Sequence, residues 1–352
     1  MKFLLIYIIC YTVVLATIFN NQILQHNSLV LQPQNYTIDL SYLYYNDDID
    51  VLHLKDQELT NKNTTDTIGN MYGLNFQITY GLIDKDSIFF KYKNMNINFG
   101  QYNVSSNIIE IFNRYNIIDY QYRLFDLYSI DIGIINNNAS DINIRSDKQL
   151  NSFVKKLGSN NIKFNNGSII KDDLVVEFYK HNKKIYPYIK IANLHTDELY
   201  IRFLLSKRFA TIMTTLYYTI DWRHITSQID LVPDDHPILN SLLDGYTFPN
   251  LNRTELINTI GLNSVIDFQN YLVEMEYCIN QIESSDNIDY VDKSSLLKLY
   301  ISKSINKIQF YSGIVILFNQ FRNENSYLYN KYTKYKFDKK YGYITLGVHY
   351  MF

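Results

Sequence analysis

Two cysteines, five prolines and twelve glycines are few for 352 residues, and a single tryptophan stands against 33 tyrosines. Cys10 lies in the opening apolar run, so removing that run leaves Cys278 alone and excludes an internal disulfide. No two glycines stand as Gly-x-Gly, which removes the dinucleotide and phosphate-loop fingerprints. No His-Glu-x-x-His or Cys-x-x-Cys occurs, which removes the ordinary zinc motifs. An excess of one charge is lacking as well. Lys and Arg number 33 against 35 Asp and Glu, so no basic surplus exists to hold a phosphate backbone, and nucleic acid is not an expected partner. After the opening run, no uncharged apolar stretch reaches the roughly 20 residues of a spanning helix. Any residence in a membrane must therefore come from strands.

What is present is apolar and aromatic: 47% hydrophobic and 15% aromatic, with only 19% charged against about 25% in soluble proteins. AT-rich codon usage would inflate Tyr, Asn, Ile and Lys, which accounts for their abundance and leaves their placement to be explained. Residues 1–16 begin with Lys2, continue through an apolar run to Leu15 and end on Ala16. A short positive start, a greasy centre and a small residue at the end are the parts of a secretory signal. Cleavage after Ala16 is expected, leaving 17–352 as one domain. An uncleaved anchor would need a longer run, and Ile9 before Cys10 disfavours lipid attachment at that cysteine.

From Tyr36 onward the period is two. Tyr36, Ile38, Leu40, Tyr42 and Tyr44 alternate with Thr37, Asp39, Ser41 and Leu43. The same alternation runs through Tyr72 to Tyr80, turns at Asp84-Lys85-Asp86 and returns through Ile88, Phe90 and Tyr92. It recurs from Tyr128 to Ile134 and, read as four strands, from Ile170 to Arg223. Further strands are expected at 264–277, 296–302, 308–319 and 341–352. Many segments approach the 9–11 residues that a tilted strand needs to cross a bilayer. Tyrosine recurs at the ends of the apolar faces, where it suits the headgroup level. Long polar stretches at 46–70, 136–168 and 226–263 contrast with the tight turn near Asp84, and 147–157 and 237–243 could form short helices within them. The expected fold is all-β: a transmembrane, antiparallel, up-and-down β-barrel of about 12 strands, within roughly 10 to 14, with long extracellular loops. A soluble secreted β-sandwich would show the same alternation.

The last residues are Tyr341-Gly-Tyr-Ile-Thr-Leu-Gly-Val-His-Tyr-Met-Phe352. Stepping back by two from the end gives Phe352, Tyr350, Val348, Leu346 and Ile344. This segment resembles the assembly signal of bacterial outer-membrane β-barrel proteins. Phrases such as Tyr80-Gly-Leu-Ile-Asp84 and Asn330-Lys-Tyr-Thr-Lys334 are similar in style to uncharacterised outer-membrane proteins of the epsilonproteobacterial type. The resemblance implies the outer membrane of a Gram-negative bacterium, its lipid as surroundings, recognition of the last strand by the barrel-assembly machinery, and closure of that strand on the first. It brings no activity with it.

By strand parity Glu177, Lys190, Arg202, Arg208, Asp221 and Arg223 are expected to line the lumen, where opposing charges either set ion selectivity or pair and fill the barrel. The expected function is porin-like passage of small polar solutes or ions; the alternative is a non-conducting surface barrel whose loops bind a partner. No catalytic residue, metal or cofactor is expected, and nothing indicates a homo-oligomer. Asp234-Asp235-His236 and Asn46-Asp47-Asp48-Ile49-Asp50 read as solvated loops rather than ion sites. His224-Ile-Thr-Ser227 and His349 are the places where a lipid-hydrolysing barrel would carry its chemistry, and its motifs are missing.

Overall fold

A computed structural model describes residues 29–45, 68–99, 102–117, 125–156, 162–171, 174–232, 252–268, 271–285, 293–318 and 341–352. The leader, the acidic stretch at 46–50, Asp234-Asp235-His236 and the helix expected at 237–243 lie outside them. Five strands come first: β1 (Tyr36–Tyr45), β2 (Ile68–Ile83), β3 (Asp86–Phe99), β4 (Tyr102–Ile117) and β5 (Leu127–Ala139). An inserted unit follows, made of β6 (Ile142–Ile144), α1 (Asp147–Lys156), β7 (Ile162–Asn165), β8 (Ser168–Lys171), β9 (Leu174–Lys180) and β10 (Lys183–Ile185). The sheet resumes with β11 (Tyr188–Phe209), β12 (Ile212–Val232), β13 (Arg253–Phe268), β14 (Tyr271–Ser284), β15 (Lys293–Ile305), β16 (Ile308–Phe318) and β17 (Tyr341–Met351).

Each of β1–β5 and β11–β17 pairs antiparallel with its neighbours, and β17 pairs with β1, so twelve strands close into a barrel. The seam is in register over its length, from Thr37 opposite Met351 to Tyr44 opposite Ile344. At its end the Phe352 amide donates to the Tyr36 carbonyl (3.0 Å), and the two rings stack with centroids 4.0 Å apart. The run expected as one strand at 264–277 is two, since β13 ends at Phe268 and β14 starts at Tyr271. β4, with doubled apolar residues at Ile108-Ile109 and Ile111-Phe112, escapes the period-two reading.

The apolar faces look outward. Leu40, Leu74, Ile132, Ile134, Ile260, Ile301 and Leu346 are each about half exposed on the outer wall, while Asp39, Arg114, Asp131, Glu276 and Thr345 are buried inside. A soluble two-sheet protein would place those apolar side chains between its layers. This barrel is inside out and needs hydrocarbon around it. It is an outer-membrane β-barrel of the Gram-negative type. Two-residue connections at Asp84-Lys85, Ala210-Thr211 and Asn306-Lys307 gather at one end. Residues 46–67, 140–187, 233–252 and 319–340 join strands at the other. Short turns belong to the periplasmic side and long loops to the outside.

Inside the wall, tyrosine rings lie over glycines. Tyr200 faces Gly133, Tyr217 faces Gly261, Tyr300 faces Gly313 and Tyr311 faces Gly347, each directly across the ladder. A Cβ on any of these glycines would collide with the facing ring. Glycine here bares the backbone so that a ring can lie flat on it.

Two local features redirect the chain. Gln32-Pro33-Gln34-Asn35 forms a turn closed by the Asn35 amide on the Gln32 carbonyl (3.2 Å), with Gln34 at φ 66°. Proline second and positive φ third is the type II pattern, and it folds residues 29–32 back into the barrel mouth. On β11 a bulge between Ala192 and His195, with Asn193 at φ 54°, shifts the register against β12 by one residue. Parity therefore inverts above it. Ile189 and Ile191 become buried and pack with Ile229, Leu231, Leu150, Val154, Phe164 and Phe178 in a dry core under the inserted unit. Asn151 holds α1 to β7 by two bonds to the Phe164 backbone (2.8 and 2.7 Å). Of the four strands expected between Ile170 and Arg223, the first is β9 of this unit, and the second is the upper part of β11, which packs against the unit rather than facing lipid.

Ile132 on β5 tests the orientation. Ile132→Arg should destabilise the barrel in lipid by about 2–4 kcal/mol if it lies near the bilayer midplane. Denaturant unfolding in vesicles measures this, and a neutral result would mean that the face meets water.

Candidate functional site

The interior divides into an upper cavity and a packed base. The cavity holds about 380 Å3 and is walled by every barrel strand. Its lining carries five carboxylates (Asp39, Glu110, Glu198, Asp221, Glu276) and five cations (Lys91, Lys93, Arg202, Arg223, Lys298). Alternation delivers them, since each sits one residue from an outward apolar or aromatic neighbour, such as Ile109 beside Glu110 and Trp222 beside Asp221 and Arg223.

The charges pair across the ladder. Lys91 contacts Glu110 at 2.7 Å, and the Tyr200 hydroxyl donates to the same carboxylate at 2.7 Å. Lys298 contacts Glu276 at 3.1 Å, which also accepts from Tyr217 at 3.2 Å. Arg223 grips Glu198 through Nε and Nη2 (2.8 and 3.1 Å) and stands 3.8 Å from Asp221 and 3.7 Å from Glu255. Asp131 is held from two sides: by Arg114 through Nε and Nη2 (2.7 and 2.8 Å), and by Arg202 at 3.1 Å. Lys93 lies over the Tyr343 ring, 5.5 Å from its centroid. Removing one member of a buried pair strands the other charge at a cost of about 3–5 kcal/mol. The network is therefore rigid, and its net field is small.

The cavity floor is the tier of Asp39, Arg202, Tyr217, Tyr300 and Tyr311, with the Tyr311 hydroxyl donating to Asp39 at 2.9 Å. Below it Met213, Asn263, Val265, Leu272, Gln309 and His349 are all buried. Residues 29–32 enter this base from the turn end. The Leu31 amide donates to the Ser87 hydroxyl at 2.8 Å, and Arg114 Nη1 donates to the Leu29 carbonyl at 3.2 Å. Leu29 packs against Met213, Val265 and Leu272.

Of the six residues expected to line the lumen, Arg202, Asp221 and Arg223 are brought together in the cavity. Arg208 stands at the turn end, where its amide donates to Asp126 at 2.7 Å. Lys190 lies above the bulge and pairs with Asp141 at 2.8 Å, outside the cavity lining, because the inserted residue reverses its side of the strand. Glu177 belongs to the four-stranded sheet of β7–β10, away from the barrel interior. It accepts from Lys184 (2.6 Å), Tyr179 (2.8 Å) and Ser168 (3.1 Å). Lys91, Glu276 and Lys298 were missed, although their alternation with Phe90, Tyr277 and Leu297 was available; Glu110 was missed because the doubled apolar residues of β4 hide its alternation. Among the described residues no cluster of His, Cys, Asp and Glu could hold a metal.

No protein-family model matches the sequence, and neither does any curated protein. Among solved structures, the chain is similar to the translocator domain of the autotransporter NalP from Neisseria meningitidis. That likeness has 9% identity, 94% of this chain and 91% of that one covered, and a TM-score of 0.47. The toluene transporter TodX from Pseudomonas putida gives 7%, 91% and 90%, with 0.45. LpxR from Salmonella typhimurium gives 9%, 91% and 100%, with 0.39. All three scores lie below 0.5, and the barrel assignment rests on the strand order and register.

The hydrogen bonds from Lys184, Tyr179 and Ser168 hold the Glu177 carboxyl down from its ordinary 4.5 to about 2. A depressed carboxylate supports the folded sheet above its unfolded pKa, and that support is lost as pH falls through about 2. Side-chain carbon-13 NMR should give a Glu177 midpoint near 2, rising toward the ordinary value in Lys184→Ala. An ordinary midpoint in the unaltered protein would show that the three bonds do not form.

Proposed function

We propose that this outer-membrane barrel is a porin-like channel for small polar solutes or ions, and that it carries no catalytic activity. The observation that supports the reading is the cavity of about 380 Å3 inside a closed wall, lined by residues of all twelve strands, among them five carboxylates, five basic side chains and five tyrosines. Because the ten lining charges balance, passage would be weakly selective between cations and anions. Arg202 is the side chain on which selectivity turns, since it shares Asp131 with Arg114. Arg202→Ala removes one positive charge from the floor and should move the reversal potential of the purified protein toward cation preference in an asymmetric salt gradient. An unmoved potential in conducting channels removes Arg202 from the path, and silence of the wild type and of every variant under every applied voltage defeats the channel reading.

A second reading is a non-conducting surface barrel that binds a partner outside. The ion pairing of Arg223, Lys91 and Lys298 favours it, as do Tyr179, exposed on the inserted sheet, and Tyr186, exposed just after it. The conductance measurement separates the two.

The biogenesis we propose begins with removal of residues 1–16 as a secretory signal. It ends with recognition of Ile344, Leu346, Val348, Tyr350 and Phe352 by the barrel-assembly machinery, in a bacterium of the AT-rich, epsilonproteobacterial kind. The alternate residues of β17 from Ile344 to Val348 form its exposed outer face, and Phe352 stacks on Tyr36 at the seam. Deleting Phe352 should lower the yield of heat-modifiable barrel in outer-membrane fractions, while Phe352→Tyr should keep it. Equal yields for the deletion and the wild type would remove this residue from the signal.

A further inference from the structure

The base of the lumen is filled by the chain's own residues 29–32, and the way they are held carries a proposal about control. The segment bridges nearly opposite walls. On one side it is bonded to Ser87 of β3 and Arg114 of β4; on the other Leu29 packs against Met213, Val265 and Leu272 of β12, β13 and β14. Going round the barrel, five strand steps in one direction and seven in the other separate β3 from β13. A bridge across that span obstructs the periplasmic mouth. Leu31 is 8% exposed and Ser87 is fully buried, so the seat excludes water.

The attachment is also separable from the wall. The segment adds no strand to the barrel, and the ladder from β1 round to β17 is complete without it. It is held by the Ser87 hydroxyl and one of the Arg114 nitrogens, and its Leu31 and Gln32 carbonyls lie against bare Gly81. Arg114 keeps its two bonds to Asp131 whether or not the segment is seated. The Pro33–Gln34 turn supplies a fixed pivot, because the Gln34 amide and the Asn35 carbonyl are tied to the Gly81 backbone (3.0 Å each).

We infer that residues 29–32 are a gate: seated between Ser87, Arg114 and Gly81 they close the barrel toward the periplasm, and swinging out about the Pro33–Gln34 turn they open it. The gate rests on the channel reading above and adds regulation to it.

Two full-length variants test it in planar bilayers. Gly81→Val places a branched side chain where the Gln32 and Leu31 carbonyls now sit, which ejects the segment while a β-branched residue still suits the strand. Conductance should rise several-fold over the wild type. The second variant joins Leu31→Cys to Ser87→Cys in a Cys278→Ser background. The 2.8 Å contact between the Leu31 amide and the Ser87 hydroxyl brings their Cα atoms within disulfide reach. Oxidation should silence the channel and a reductant should restore it. Heat-modifiable migration confirms folding of both. Failure of the bond to form on oxidation would place the segment elsewhere and overturn the gate. Equal conductance of the oxidised and reduced forms, in a protein that conducts, overturns the gate and leaves the channel standing. Silence of the wild type, of Gly81→Val and of the reduced pair together overturns both.

Discussion

Hydrocarbon offers a backbone amide no partner, and the whole architecture follows from that lack. A strand wall in a bilayer must close, because an open edge would leave a row of unpaired N–H and C=O groups in lipid. Closure here depends on the seam between β1 and β17, whose residues face each other in register from one rim to the other. The outward set on these two strands, Ile38, Leu40 and Tyr42 against Tyr350, Val348 and Leu346, continues the apolar surface without a break. The same register points Asp39 and His349 inward together. One alignment thus settles the edge, the lipid face and the lumen.

A wall this narrow encloses many side chains for little space, and the interior resolves the crowding in two ways. In the middle, bare glycine backbone receives tyrosine rings, so bulk on one strand is matched by its absence on the next. Around those rings, carboxylates and cations share hydrogen bonds, and the rings' hydroxyls join them at Glu110 and Glu276. Rings, glycines and ion pairs form one tier. That tier divides a hydrated upper chamber from the packed base.

The wall was legible because its period is two and its faces differ in kind. β1, β2, β5, the lower part of β11, β12 and β17 present their apolar residues on the side that alternation assigns, and the placement of Arg202, Asp221 and Arg223 follows from it. What escaped was whatever alternation cannot carry. β9 alternates as a membrane strand does, yet its greasy side, Val176 and Phe178, faces a dry core under a small aqueous sheet. Period two reports that a face is buried and does not say in what. The two residues between β13 and β14 include no glycine, so Phe268 and Tyr271 read as one strand. β4 hides behind paired isoleucines. Lys190 failed for a different reason: a bulge leaves hardly a mark in sequence beyond an asparagine able to accept positive φ.

That bulge has a wider consequence. Below Asn193, β11 turns its greasy side to lipid; above it, the same continuous strand turns its greasy side to protein. A single extra amino acid is therefore the frontier between two solvents on one ribbon, and it lets a membrane hairpin continue upward as the pillar of an aqueous domain without a linker. Shortening the chain there by one codon would reverse every side chain above that point, exposing the isoleucines to water while the wall beneath stayed whole.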